Sequence, residues 1–340
     1  MLSRMQHVLL VLLCFVLASS SFAEITVRQD GTGDYTTIGA ALAAAASGEV
    51  IRVTDSGEYN ESLDLIDVSL VSALYGAKVY GDPNALASRN ELIVMSGDQP
   101  ALIEGFTITS DRHGVVVIGS SSSIQATVRG CEIVAPWAGV QFFNNAADTN
   151  GQVTIDSCYI HHCDYVVDAQ GGGSSAGTMI ITNSHIFNGW NGTLRFLIPM
   201  NLTMDNTEVY NTGASSGFYY EGGLAELPVT VSVSNSKFYS NAKSGVLIVG
   251  TSGDFTFTDC EITDNSEWGL NSWLPSDDYT RSITLTDTMP SMAAIQTRQS
   301  CSMTSNAVSS TAPAAWRVLC FLMCQTVILS ITWWTMASTA

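Results

Sequence analysis

The chain has 340 residues and a formal net charge of −18, with 13% charged and 46% hydrophobic side chains. That acidity excludes nucleic acid as a partner, which requires clustered Lys and Arg. The length supports a large core, and 28 glycines among so few charges suit an all-β chain with buried strands and tight turns.

Residues 1–23 read as a secretory signal: Arg4, an apolar run Val8–Leu17, then Ser21-Phe22-Ala23 before Glu24. The mature protein is therefore expected to be secreted, in an extracellular or periplasmic setting, and to be surface-associated or free. The next element is a short amphipathic helix within Thr37–Ala46. It follows the Gly/Asp-rich turn VRQDGTGDYT and precedes the strand EVIRV.

From Gly105 onward the chain repeats itself, with a period in the range that marks solenoids and related arrays. A small or polar pair precedes an aliphatic or aromatic at Ile108, Ile133, Ile160, Ile186, Val209, Phe238 and Ile262, at nearly even spacing. A glycine then opens a second apolar run, as in GVVVI at 114 and GVLIV at 245. A third short strand closes the unit, as in QVTI at 152 and DFTFT at 254. Three strands of this length cannot bury their apolar sides alone, and stacking successive turns solves that. The expected fold is all-β: a single-stranded right-handed parallel β-helix, a solenoid over residues 24–288, closed at its N-terminal end by the short helix.

The stretch Gln29–Leu65, QDGTGDYTTIGAALAAA…GEVIRV…GEYNESLDL, resembles the N-terminal capping coil of pectinesterase-like proteins in the pectin lyase-like β-helix superfamily. Gly57–Glu61 matches their G-x-Y-x-E pattern.

Strand alternation assigns faces. Phe106, Cys131, Cys158, Ser184, Thr207, Ser236 and Cys260 point inward, two residues before each apolar anchor. Cys131 and Cys158 fall on adjacent turns, either as buried thiols or as a bridge. One residue earlier, Ser157, Asn183, Asn206, Asn235 and Asp259 form a polar ladder that can hydrogen-bond from coil to coil.

Outward positions hold Glu132, Tyr159, His185, Glu208, Lys237 and Glu261 in one column. His161, Phe187, Tyr210 and Tyr239 form the other. Aromatics beside carboxylates suit sugar rings, so His161, His185, Phe187, Tyr210, Tyr239 and Glu208 are candidate substrate-binding residues. The competing reading is an aromatic ladder that stiffens the sheet.

Gln141, Asp168 and Arg195 recur at equal intervals, and Glu221 follows one position short of the next step, as a further binding candidate. The resemblance to pectinesterases implies Asp168 as nucleophile, Arg195 as its partner and Gln141 as oxyanion donor. A surface salt bridge explains the same pair. The QAVAL, QDTL, DFIFG and LGRPW motifs of that family are absent, and Asp164 is the nearest second acid. No cofactor is expected: His161-His162-Cys163-Asp164 should alternate between faces and hold no metal. The acid cluster with which lyases of this fold bind Ca²⁺ is not evident.

After Asp287 the character changes. Residues 289–340 contain no Asp, Glu or Lys, and hold five of 11 Met and three of seven Trp. A frameshifted or truncated reading frame, a membrane or sorting segment at Val318–Trp334 and a loosely packed cap all remain open. The sequence as a whole points to a secreted monomer that binds, and in one reading modifies, polysaccharide or cell-surface glycan. A pectinesterase-like or lyase-like enzyme and a structural or adhesion module are the alternatives.

Overall fold

One backbone conformation sets the repeat. At Ser157, Asn183, Asn206, Asn235, Asp259 and Asp287 the backbone is left-handed, with φ between 46° and 56°, and Gly105 and Gly130 fill the same place on earlier coils. Gly, Asn and Asp tolerate that conformation best. Their presence ends one strand and starts the next at an angle. The polar ladder is thus first a ladder of turns. Its side chains also link coils: Asn206 Nδ2 donates to Asn183 Oδ1 at 2.9 Å, and Asn235 Nδ2 to Asp205 Oδ1 at 2.8 Å. Asn235→Ala is expected to destabilise by about 1–2 kcal/mol, and Asn235→Gly by less, as read from urea midpoints.

The computed structural model describes residues 24–72, 76–81, 91–119, 124–144, 151–171, 177–222, 227–274 and 279–290, with the strand Leu329–Thr332. The chain winds as a parallel β-helix with three faces. A 12-stranded parallel sheet, from Ile25–Val27 to Leu329–Thr332, forms the first. Most of its strands alternate, as in Gly177–Thr182, where Gly177, Met179 and Ile181 are buried. Short strands such as Glu132–Val134, Glu208–Tyr210 and Lys237–Tyr239 make the second face. His113–Gly119, Ala138–Asn144 and Phe218–Tyr220 belong to the third. The long strands Tyr159–Gly171 and His185–Phe196 run round the corner between second and third faces without a break.

The corner explains the recurrent glycine. A Cβ on Gly139 would lie 2.7 Å from Val166 O and overlap the Ile160 side chain of the next coil. Inside, Phe106, Cys131, Cys158, Ser184, Thr207, Ser236 and Cys260 are all buried as expected. The hydroxyls tie coils together: Ser184 Oγ donates to Thr182 O at 2.7 Å and accepts from Cys158 N at 3.1 Å. Cys131 and Cys158 are free thiols, each within donor range of a backbone carbonyl.

The helix Ile38–Ala44 covers the open end and buries Ile38 and Ala41. The GEYNE segment holds it. Glu61 accepts from Ile38 N at 3.0 Å and Gly39 N at 2.6 Å, and Tyr59 Oη donates to Asp55 at 2.8 Å. The motif shared with pectinesterase-like caps is therefore a capping device.

Residues 1–23 lie outside the described residues, as does the 318–334 segment apart from Leu329–Thr332, which pairs with Ile283–Thr286. Among the described residues no helix is long and apolar enough to cross a membrane.

Candidate functional site

On the third face Gln141, Asp168 and Arg195 are register partners on consecutive coils. Arg195 grips Asp168 in a fork, with Nε 2.7 Å from Oδ1 and Nη2 2.9 Å from Oδ2. Gln141 Nε2 adds a third donor, 3.0 Å from Oδ2. The pair is not the surface salt bridge that composition suggests: Asp168 is 0% exposed and the Arg195 side chain 16%. The guanidinium lies flat on Tyr165, its Cζ 3.4 Å from the ring centroid. These donors take three of the roughly four acceptor positions of the carboxylate, and with no exposed surface Asp168 presents no oxygen to a ligand in this arrangement.

Glu221 is not the fourth member of this column. Arg195 pairs with Tyr219, because this coil is shorter than the two before it. Glu221 lies two positions further on, exposed, accepting from the Tyr219 hydroxyl. Burial and that carboxylate raise the Tyr219 phenol above its ordinary value. Asp164, the second acid nearest in sequence, accepts from Asn191 Nδ2 at 2.9 Å.

Around Asp168 the corner collects aromatics that strand alternation does not place. Trp137 is 42% exposed and Trp190 64%. Backbone bonds tie each to its neighbouring coils, Trp137 N to Arg112 O, Tyr165 N to Trp137 O, and Ala214 N to Trp190 O, each 2.8–2.9 Å. The register puts Asp164 and Asn191 in line with Trp137, and Trp190 stands one residue before Asn191, where the pairing shifts. Trp137 meets Tyr165 edge-on at 6.4 Å and His113 at a tilt at 6.2 Å, so neither ring is stacked on it. Trp190 lies against Gly213, where a Cβ would come 2.8 Å from Cε3. His113 is buried with no partner at Nδ1. Burial is the main cause of its lowered pKa; Arg112 adds to that, and Glu91 and Asp168 oppose it. The signal for the tryptophans is present in the sequence: each stands two positions before a corner glycine, Gly139 or Gly192.

The second face carries the two outward columns. His161, Phe187, Tyr210 and Tyr239 form a continuous pile, with centroids 4.8, 4.9 and 4.8 Å apart. Tyr159 and His185 stack likewise at 4.8 Å. Rings stacked in this way cover one another's faces and turn their edges outward, which is the ladder geometry. Glu208 ties the columns together, 3.6 Å from His185 Nδ1, 3.8 Å from Lys237 Nζ and accepting from Tyr239 Oη at 3.1 Å. Burial and Glu208 push the Tyr239 phenol up to about 12.

The alternation expected through His161-His162-Cys163 fails at His162, whose φ is 56°. That turn brings the two imidazoles together, Nδ1 to Nδ1 at 2.6 Å, while Cys163 is buried. Burial lowers the His161 pKa against the pull of Glu132. Among the described residues no three His, Cys, Asp or Glu side chains are grouped to hold a metal ion.

Solved structures similar to this chain share 11–15% identity with it. The Dettilon tailspike protein covers 92% of this chain over 67% of its own, with a TM-score of 0.48 and 13% identity. Pectin methylesterase PemA from Erwinia chrysanthemi covers 89% over 94% of its own, at 0.42 and 13%. A DFA-IIIase mutant from Arthrobacter chlorophenolicus A6, in complex with DFA-III, covers 83% over 82%, at 0.40 and 11%. No curated protein matches the sequence. The family model described as "Right handed beta helix region" matches residues 91–280, more than half of the chain, and the protein therefore belongs to the right-handed β-helix family.

Proposed function

We propose that this is an exported glycan-binding β-helix whose ligand lies along the corner between the second and third faces. The observation that carries this reading is the pair Trp137 and Trp190. They are exposed aromatic surfaces two coils apart on the same corner, with Tyr165, Arg195 and the Asp164–Asn191 pair supplying polar contacts beside them. The apolar face of a sugar stacks on such rings while its hydroxyls find polar groups. The ladder Phe187–Tyr210–Tyr239 has no free ring faces within it and stiffens the neighbouring wall; His161, His185 and Glu208 support that wall.

Turnover through Asp168 is disfavoured. Its carboxylate is held by Arg195 and Gln141 and has no exposed surface, and Asp164, the acid nearest in sequence, is engaged by Asn191. Arg195 and Gln141 instead set the shape of the wall beside Trp137.

Affinity electrophoresis of the full chain through gels containing pectin, polygalacturonate, xylan, glucomannan or a soluble cellulose derivative tests this. Retardation in at least one gel is expected, weakened at least tenfold in Kd by Trp137→Ala or Trp190→Ala with the melting temperature unchanged. Retardation unaffected by both variants, or lost instead in Tyr210→Ala, would move the site to the second face. No retardation of the folded protein would leave a structural module.

A further inference from the structure

We propose that the ligand of this corner is a neutral, extended glycan joined through equatorial 1,4-bonds, lying parallel to the solenoid axis with one sugar per coil. This rests on the glycan-binding reading and names its substrate class. Ala138, Tyr165 and Gly192 are register partners on consecutive coils, so Trp137 and Trp190 stand two coils apart, Trp190 one residue before the column of Trp137 where the pairing of the two strands shifts. Parallel strands lie about 4.8 Å apart, which puts the two tryptophans about 9.6 Å apart along the axis.

An equatorially 1,4-linked chain advances by nearly one strand spacing per sugar and turns over at each bond. Sugars one and three then offer the same face to Trp137 and Trp190, while sugar two turns its opposite edge inward. On the coil between the tryptophans lies Asp164, hydrogen-bonded at 2.9 Å to Asn191 beside Trp190 and next to the Arg195–Tyr165 stack, whose ring face the guanidinium covers. The alternation of aromatic and polar contacts thus has the period of the ligand. A chain with axial bonds coils, advances by a different step and loses phase over the same two coils.

Charge points the same way. The Arg195 guanidinium is already neutralised by Asp168, and Asp164 adds a carboxylate. Arg112 is the cation at the N-terminal end of this corner, next to Asp111. The whole chain carries −18, so a polyuronate approaches against a repulsive field.

Calorimetric titration of the full chain with β-1,4-linked glucose oligomers of two to six units, and with oligogalacturonates of the same lengths, tests the proposal. Affinity is expected to rise about tenfold between two and three units, the shortest length that reaches both tryptophans, a step of about 1.4 kcal/mol. In Trp190→Ala the step disappears and dimer binding remains; Trp190→Tyr keeps part of it. Oligogalacturonates are expected to bind more weakly at every length, most visibly at low salt. A smooth rise without a step at three units, or tighter binding of galacturonates, overturns this inference while leaving glycan binding intact. Absence of all binding, in protein whose melting curve is normal, overturns the glycan reading itself.

Discussion

Arg195→Met is expected to lower the unfolding free energy by about 3–5 kcal/mol, because it strands a buried carboxylate. Asp168 has no exposure, and two of its three side-chain hydrogen bonds come from Arg195. Gln141 alone cannot replace that charge. The double replacement Asp168→Leu with Arg195→Met should recover most of the loss, since an apolar pair of similar volume removes the charges together. Guanidinium unfolding of the parent, both single variants and the double variant gives the coupling directly. A single-variant loss under about 1 kcal/mol would mean that the pair is solvated and exchangeable, and Asp168 would again be available for chemistry.

Arg281→Met carries the second large effect, a loss of about 2–4 kcal/mol. This arginine begins a strand of the first face and points into the solenoid. Nε and Nη2 donate to Thr251 O at 3.0 and 2.8 Å, and Nη1 to Ile248 O at 3.1 Å and Ser272 Oγ at 2.6 Å. No carboxylate is among these partners. Burial presses its pKa below the usual arginine value, while the carbonyl dipoles favour the charged form. Removing it relieves the desolvation of one charge but leaves two buried carbonyls without this donor. We expect the second effect to dominate, because both acceptors flank the tight turn around Gly250, where φ is 49°. Arg281→Lys should rescue little, since an ammonium cannot span Thr251 and Ile248 as the planar fork does. A Met variant as stable as the parent protein would show that desolvation outweighs the bonds.

Much of this architecture is legible because a solenoid writes its period into the chain. The inward column from Phe106 to Cys260 and the turn ladder from Ser157 to Asp259 follow from alternation and a left-handed residue recurring at the same place on each coil. Gln141, Asp168 and Arg195 are legible for the same reason, as two equal steps along the chain. Glu221 falls off that column because the next coil is shorter between register partners, which spacing alone does not reveal. For His161, Phe187, Tyr210 and Tyr239 the spacing marks the column. It cannot say that the rings pile face to face and so withdraw their faces from a ligand. Trp137 and Trp190 escape the pattern because they stand in the corner turns, where a period of two does not apply. His162 escapes for a related reason, since its left-handed turn breaks the alternation expected of its neighbours.

The most direct test of the central claim is the fate of a glycan held at this corner. The full chain would be incubated with each polysaccharide it retains, and the recovered material analysed by mass spectrometry for chain length, methyl ester content and unsaturated ends. The account predicts intact glycan, with no difference between the wild-type protein and Asp168→Asn. Methanol or unsaturated ends released by the wild type and lost in Asp168→Asn would contradict it, and would make the Gln141–Asp168–Arg195 column a catalytic centre.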